Sequence, residues 1–146
     1  MTTMRLEKIE NKNQGIAREW AFAKAMGIER TSHDNGRYDK DSDVNANGIG
    51  YSVKASGFSL MSGTLCEGKT EFEEIWTLYK SKVHSERFVY VTKENIAYIM
   101  NIDEFEKFVH EFCKVEKESQ KNGGHEKIRC KKESAKMVKW LSEKIA

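Results

Sequence analysis

The chain has 146 residues, of which 38% are hydrophobic and 33% charged, and its formal net charge is +2. This length and composition predict one globular domain over residues 1–146 and argue against a disordered chain. No apolar run approaches the roughly 20 residues of a membrane span, and the N-terminal residues lack the apolar core of a secretory signal. We therefore expect a cytoplasmic protein without membrane contact.

The first predicted element is a helix over Asn13–Met26, with Asn13 as N-cap and Gly27 as the left-handed residue that ends it. One side of this helix carries the apolar residues Ile16, Trp20, Ala23 and Met26. Glu19 falls within that apolar arc, where a carboxylate needs a partner or a metal, or becomes neutral. A position at the edge of the apolar arc, or a structural hydrogen bond, would account for a glutamate at position 19 equally well without a metal.

A β-hairpin is predicted next, with turn chemistry at Asn45–Gly48. Val44 begins the first arm, and the second arm runs over Ile49–Lys54. Because side chains alternate along a strand, Ser52 and Lys54 are expected on the same face of the second arm.

The rest of the chain alternates between helical and extended patterns. First come a Gly/Ser-rich loop over Ala55–Lys69 and a helix over Glu71–Val83 with a Thr70/Glu73 capping box. Two strands follow, over Arg87–Thr92 and Asn95–Met100, and then a helix over Asp103–Cys113. The chain ends with a polar link over Lys114–Gly124, a short strand over His125–Lys131 and a last helix over Glu133–Ala146. This order predicts an α/β domain with a small mixed β-sheet flanked by helices.

Charge is unevenly distributed along the chain. Residues 114–146 form a basic C-terminal segment with ten Lys or Arg against five Glu, whereas the first 113 residues hold fifteen Lys or Arg against eighteen Asp or Glu. Such a segment suits an anionic partner such as nucleic acid, although a solvated Lys-rich helix produces the same pattern.

The hairpin places a carboxylate, Asp43, beside its first arm and an ammonium, Lys54, on its second. Phosphodiester hydrolysis with Mg²⁺ uses carboxylates to hold the metal and a cation near the attacked phosphate. With Glu19 on the preceding helix, this order resembles the restriction-endonuclease-like PD-(D/E)xK nuclease superfamily, with Ser52-Val53-Lys54 in place of (D/E)-x-K. The resemblance implies a Mg²⁺-dependent DNA endonuclease, with Mn²⁺ as a possible substitute, in which Asp43 binds metal and Lys54 acts at the phosphate.

Ser52 departs from the family pattern, since a hydroxyl does not replace an ionised carboxylate as a Mg²⁺ ligand. The resemblance implies that a carboxylate from the next segment completes the site. Glu71 is the first choice and Glu67 the second, and Glu19 can share this role. Glu73 is assigned to helix capping.

The expected partner is DNA, bound by a homodimer because a chain of this size offers little surface for gripping a duplex. Hydroxyls and basic side chains are the candidates for phosphate contacts. These candidates are Ser52, Ser56, Ser59, Lys69, Lys127, Arg129, Lys131 and Lys132. The alternative function is a catalytically inactive nuclease-fold protein that binds DNA or a protein partner, for example an accessory protein of a phage or mobile element.

Overall fold

The computed structural model describes residues 1–8, 15–28, 43–60, 68, 70–117 and 126–144. The chain forms two compact units, the first from residues 1–56, 84–105 and 133–146 and the second from residues 57–83 and 106–132. Helices and two β-sheets make up the described residues, which confirms the predicted α/β class with a small mixed sheet. Among these residues, no helix is long and apolar enough to cross a membrane.

The elements follow one another as β1 (Thr2–Arg5), α1 (Gly15–Ala25), β2 (Val44–Ala46), β3 (Ile49–Ala55), β4 (Ser59–Leu60), α2 (Phe72–Lys82), β5 (Arg87–Val91), β6 (Ile96–Met100), α3 (Ile102–Phe112), β7 (Cys113–Lys117), β8 (Glu126–Cys130) and α4 (Ala135–Glu143). The first unit contains a five-stranded sheet in the order β1-β6-β5-β3-β2. Its central pair, β3 and β5, is parallel, with Lys54 opposite Tyr90, and the other pairs are antiparallel. Strand β1 was not predicted.

The predicted hairpin is present as β2 and β3. Asn47 and Gly48 connect the strands with φ angles of 53° and 82°, the two positive values of a type I′ turn. Val44 pairs with Tyr51 across the hairpin. The turn therefore fixes the register of the hairpin, and with it the position of Asp43, just before β2, relative to the residues of β3.

Helix α1 ends at Gly27, as predicted. Gly27 has a φ of 79°, its N–H donates to the Lys24 carbonyl at 3.0 Å, and the Ile28 N–H donates to the Ala23 carbonyl at 2.8 Å. These are the two hydrogen bonds of a Schellman motif. The predicted N-cap, Asn13, lies outside the described residues.

The predicted inner face of α1 is wrong at Trp20, which is 53% exposed, whereas Phe22 is fully buried. Phe22 packs against Tyr51 of β3 with ring centroids 5.3 Å apart. Phe22 lies two positions from Trp20, about 200° around the helix, so the helix cannot bury both rings against one sheet. The face that packs on the sheet includes Glu19, Phe22 and Ala23.

The second unit contains a three-stranded antiparallel sheet in the order β4-β8-β7. Strand β8 agrees with the predicted short strand. Strand β4 lies in the segment predicted as a loop, and β7 occupies the start of the predicted polar link. Strand β4 has only two residues, and β7 is rich in charged residues, so the local propensity for a strand is weak in both. Their extended conformation comes from pairing with β8.

Helices α2 and α3 match their predicted positions to within one residue, but the predicted capping box of α2 is wrong by one position. Glu71 is the N-cap, and its N–H donates to the Glu74 carboxylate at 3.3 Å. Helix α3 is capped by Asn101 and Glu104, which exchange side-chain to backbone bonds of 2.8 and 2.9 Å. The four residues of α3 predicted to face inward, Phe105, Phe108, Val109 and Phe112, are all buried.

Candidate functional site

Lys54 interacts electrostatically with two carboxylates that come from separate segments of the first unit. Lys54 is partly buried near the end of β3, Asp43 directly precedes β2, and Glu19 lies in α1. Burial lowers the pKa of Lys54 below its ordinary value of 10.5, and the negative charges of Asp43 and Glu19 oppose this by raising it. The net effect is a lowered pKa, so loss of solvation outweighs the two carboxylates.

Asp43 is held against the strand that carries Lys54. Its N–H donates to the Tyr51 carbonyl at 3.0 Å, which extends the β2–β3 pairing by one residue. Its Oδ2 accepts the Val53 N–H at 2.9 Å. The carboxylate is thereby held at Val53, the residue next to Lys54.

Glu19 is only 8% exposed, as its position in the apolar arc predicted. It projects from the same helix face as Phe22 and Ala23, which belong to the hydrophobic core of the first unit. An ionised carboxylate at such a position is costly unless a positive charge compensates it. Lys54 supplies that charge, so the two side chains depend on each other.

Ser52 is buried, and its hydroxyl forms a hydrogen bond with that of Ser85, 2.5 Å away. A hydroxyl in this interior position does not fit the predicted contact between Ser52 and a DNA phosphate, which needs a solvent-facing group. Ser85 lies two residues before β5 and was not predicted as a site residue. Nothing in the spacing around Ser85 indicates this contact, because it arises from the parallel pairing of β3 with β5.

The donor set of Glu19 and Asp43 fits a hard divalent cation. Mg²⁺ is usually held by one or two carboxylates and keeps several waters, so two protein oxygens suffice for a site that also takes a phosphate. In the parts of the chain that the structure describes, no group of three or more His, Cys, Asp and Glu side chains is arranged to hold a metal ion. Asp43 and Glu19 thus supply two carboxylates that interact with one lysine, and metal binding by them stays a prediction.

Of the two carboxylates predicted to complete the site, Glu71 lies within the described residues and Glu67 outside them. Glu71 is exposed and begins α2 in the second unit, where it serves as the N-cap. Metal binding by Glu71 or Glu67 stays a prediction, whereas Glu19 is the glutamate that interacts with Lys54.

Three of the predicted DNA contacts lie on one face of the second unit's sheet. Ser59 pairs with Arg129, and alternation along β8 puts Lys127 on the same face. Lys114 pairs with Arg129 from the other side and adds a third basic residue. Glu116 lies on this face as well, and one of its oxygens is 3.8 Å from an Arg129 nitrogen.

The other predicted DNA contacts have varied surroundings. Ser56 is exposed, but its hydroxyl accepts the N–H of Glu133 at 2.8 Å and so anchors the residue before the N-cap of α4. Lys131 and Lys132 are exposed after β8. Lys69 lies outside the described residues.

Comparison of the chain with protein-family models, curated proteins and solved structures gives no match.

Proposed function

We propose that this chain is a Mg²⁺-dependent DNA endonuclease of the restriction-endonuclease-like kind, with Glu19, Asp43 and Lys54 as its active residues. One observation carries the proposal: Lys54 interacts with the carboxylates of Asp43 and Glu19, which come from different elements. Metal-dependent phosphodiester hydrolysis uses carboxylates to hold the metal and a cation to stabilise charge at the phosphate, and two carboxylates beside the partly buried Lys54 can supply both.

Each residue has a separate task in this proposal. Asp43 and Glu19 would hold the divalent cation, which when bound polarises the phosphate and lowers the pKa of a coordinated water. Lys54 stabilises negative charge at the attacked phosphate and orients the water that attacks it. Because the pKa of Lys54 is lowered, its side chain also gives up a proton more readily than an exposed lysine does.

The basic face of β4, β7 and β8 supports DNA as the substrate. Lys114, Lys127 and Arg129 place three positive charges on one sheet face beside Glu116, and contacts from such residues to the phosphate backbone confer affinity without reading bases. We propose that the active form is a homodimer, which sedimentation or light scattering in the presence of DNA tests directly.

The decisive experiment measures cutting of supercoiled and linear DNA with Mg²⁺, with Mn²⁺ and with EDTA. Wild-type protein is expected to cut with either metal and not with EDTA. Lys54→Met, Asp43→Asn and Glu19→Gln are each expected to lower the rate by at least about 100-fold, the usual scale for loss of one catalytic or charge-stabilising group.

Matched controls change the same residue types away from the site. Lys24→Met, Asp103→Asn and Glu7→Gln alter exposed residues and are expected to retain wild-type rates. Circular dichroism shows whether each variant is folded. Metal-independent cutting, or full activity in folded Lys54→Met and Asp43→Asn variants, would rule out the proposed site.

A second candidate function is DNA or protein binding without catalysis. The observation that favours it is the Ser52–Ser85 hydroxyl pair, because Ser52 occupies the position of a metal-binding carboxylate in the resembled family and its hydroxyl is engaged internally. The cutting assay separates the two functions. DNA binding with no cutting under any metal, together with no detectable Mn²⁺ binding by calorimetry, supports the binding protein.

A further inference from the structure

Two cysteines lie directly opposite each other in the second unit's sheet. Cys113 begins β7, Cys130 ends β8, and the two are register partners in an antiparallel pair. Cys130 is buried and Cys113 partly buried. Register partners in an antiparallel pair project to the same face of the sheet, so the two thiol side chains lie side by side. This pair plays no part in the proposed nuclease site.

The backbone hydrogen bonds identify the type of pair. The adjacent pair is hydrogen-bonded, because the Lys131 N–H donates to the Phe112 carbonyl at 3.1 Å. The Cys130 N–H instead points to the opposite side and donates to the Phe58 carbonyl at 2.8 Å. Cys113 and Cys130 therefore form a non-hydrogen-bonded pair, in which opposing Cα atoms lie about 4.5 Å apart and the side chains are closest.

That separation is compatible with a disulfide, since bridged cysteines have Cα atoms about 4.4–6.8 Å apart. Antiparallel pairing already holds both strands in place, so closure requires only rotation of the two side chains. We propose that Cys113 and Cys130 form a dithiol site that closes to an intramolecular disulfide on reaction with a low-molecular-weight disulfide.

The reaction balances as two successive thiol–disulfide exchanges. The thiolate of Cys113, the more exposed residue, attacks one sulfur of the small disulfide and expels the other half as a thiolate. The Cys130 thiolate then attacks the Cys113 sulfur, forms the protein disulfide and releases the second half. The protein loses two hydrogens and two electrons, and one small disulfide becomes two thiols.

The surroundings make this a slow site rather than a highly reactive one. The hydrogen bond with Cys130 and burial both raise the pKa of the Cys113 thiol, which keeps it protonated. We therefore expect both cysteines to persist as thiols in a reducing solution and to react over hours rather than seconds.

The test uses the full chain with Cys66→Ser, so that Cys113 and Cys130 are the remaining thiols. The folded protein is incubated with glutathione disulfide, and its intact mass and non-reduced peptides are followed. The expected result is a mass lower by about 2 Da, the loss of two hydrogens, and a peptide that joins Cys113 to Cys130. Persistent thiols, glutathione adducts on both cysteines, or closure only after denaturant is added would overturn the proposal.

A matched variant tests the register argument. In Cys66→Ser/Cys113→Ser/Val115→Cys, the new thiol lies on the same face of β7 but is paired with Ile128, one step diagonally from Cys130. Diagonal neighbours are about 7–8 Å apart, beyond disulfide reach. This variant is expected to form glutathione adducts without closing, and closure at the rate of the Cys113 protein would contradict the geometry proposed.

Discussion

The ammonium of Lys54 occupies a position that disfavours charge. Burial lowers its pKa, and the carboxylates of Asp43 and Glu19 recover only part of the lost solvation. A lysine of this kind is sensitive to its neighbours, since removing either carboxylate removes a contribution that favours the charged form. The protonation of Lys54 therefore depends on both carboxylates.

The lowered pKa predicts how stability changes at alkaline pH. Between the folded-state pKa of Lys54 and 10.5, the unfolded chain binds more protons than the folded one, so the free energy of unfolding attributable to Lys54 rises with pH. Lys54→Met lacks this rise. Urea unfolding of both proteins from neutral pH to about 10.5 measures the difference. Lys24→Met, at an exposed position, is the control, and identical pH profiles for wild type and Lys54→Met would contradict the prediction.

His110 gives a pH effect of opposite sign. Partial burial by itself lowers the pKa of His110, but its hydrogen bonds to the Glu106 carbonyl at 2.8 Å and the Glu73 carboxylate at 2.7 Å raise it overall. Its stabilising contribution is thus complete below the ordinary pKa of 6.5 and is lost as pH rises through the raised folded-state value.

We expect this loss to be below about 1 kcal/mol, because Glu73 and His110 are solvent-exposed and water screens the pair. His110→Gln and Glu73→Gln should each flatten the corresponding part of the stability profile. Thermal unfolding across this pH range is the measurement. A decline that persists unchanged in both variants would assign it to other groups.

At the scale of elements, α1 and the β2–β3 hairpin together position Glu19, Asp43 and Lys54. The orientation of α1 predicts unequal effects for one substitution at two aromatic positions. Phe22→Leu removes ring contacts from a fully buried site and should cost about 1–2 kcal/mol, whereas Trp20→Leu, at a residue that is 53% exposed, should change stability by less than about 0.5 kcal/mol. Chemical denaturation of both variants checks this, and equal costs would mean that the helix packs differently.

The hairpin turn favours glycine at position 48 because of its backbone conformation, and not because a side chain would lack room. Gly48 has a φ of 82°, and an added Cβ would meet no atom within 4 Å. Gly48→Ala should therefore destabilise the protein by about 1 kcal/mol through the left-handed backbone alone. Asn47→Gly, at the neighbouring positive φ of 53°, is the control and should be nearly neutral. A neutral Gly48→Ala would show that the turn adopts another conformation.

The sequence predicted elements with strong periodicity and missed those that depend on partners. The inner face of α3 and the hairpin followed from residue spacing, and burial of Glu19 followed from its place in the apolar arc. Strands β4 and β7 were missed because a two-residue strand and a Lys/Glu-rich strand carry almost no local signal. The Ser52–Ser85 contact depends on parallel pairing between distant strands, which no local pattern encodes.

At the scale of the whole molecule, the basic C-terminal segment belongs to two structural units. Its β7 and β8 portions lie in the second unit, and α4 lies in the first. The positive charge on the sheet face of the second unit comes from Lys114, Lys127 and Arg129, with Glu116 beside them. If DNA binds this face, its affinity depends on salt through those residues.

This dependence can be measured at single residues. Lys127→Ala and Arg129→Ala should each weaken DNA binding and reduce the slope of log affinity against log salt by about 1, as expected for one lost phosphate contact. Lys139→Ala changes an exposed lysine of α4 and is the control. Binding is measured by fluorescence anisotropy over a series of salt concentrations. An unchanged slope in both sheet variants would place the DNA elsewhere.

The pairing of β1 with β6 has a consequence for how the protein is made. Thr2–Arg5 is synthesised well before its hydrogen-bonding partner, Ile96–Met100, because most of the other elements lie between them in the chain. Until Ile96–Met100 has been made, β1 lacks its partner strand, and the backbone groups that will later pair with it stay open to other chains. Pairing two strands that lie so far apart in the chain is also slow. A transient oligomer that forms during translation should therefore be sought in ribosome-bound chains that stop before residue 96.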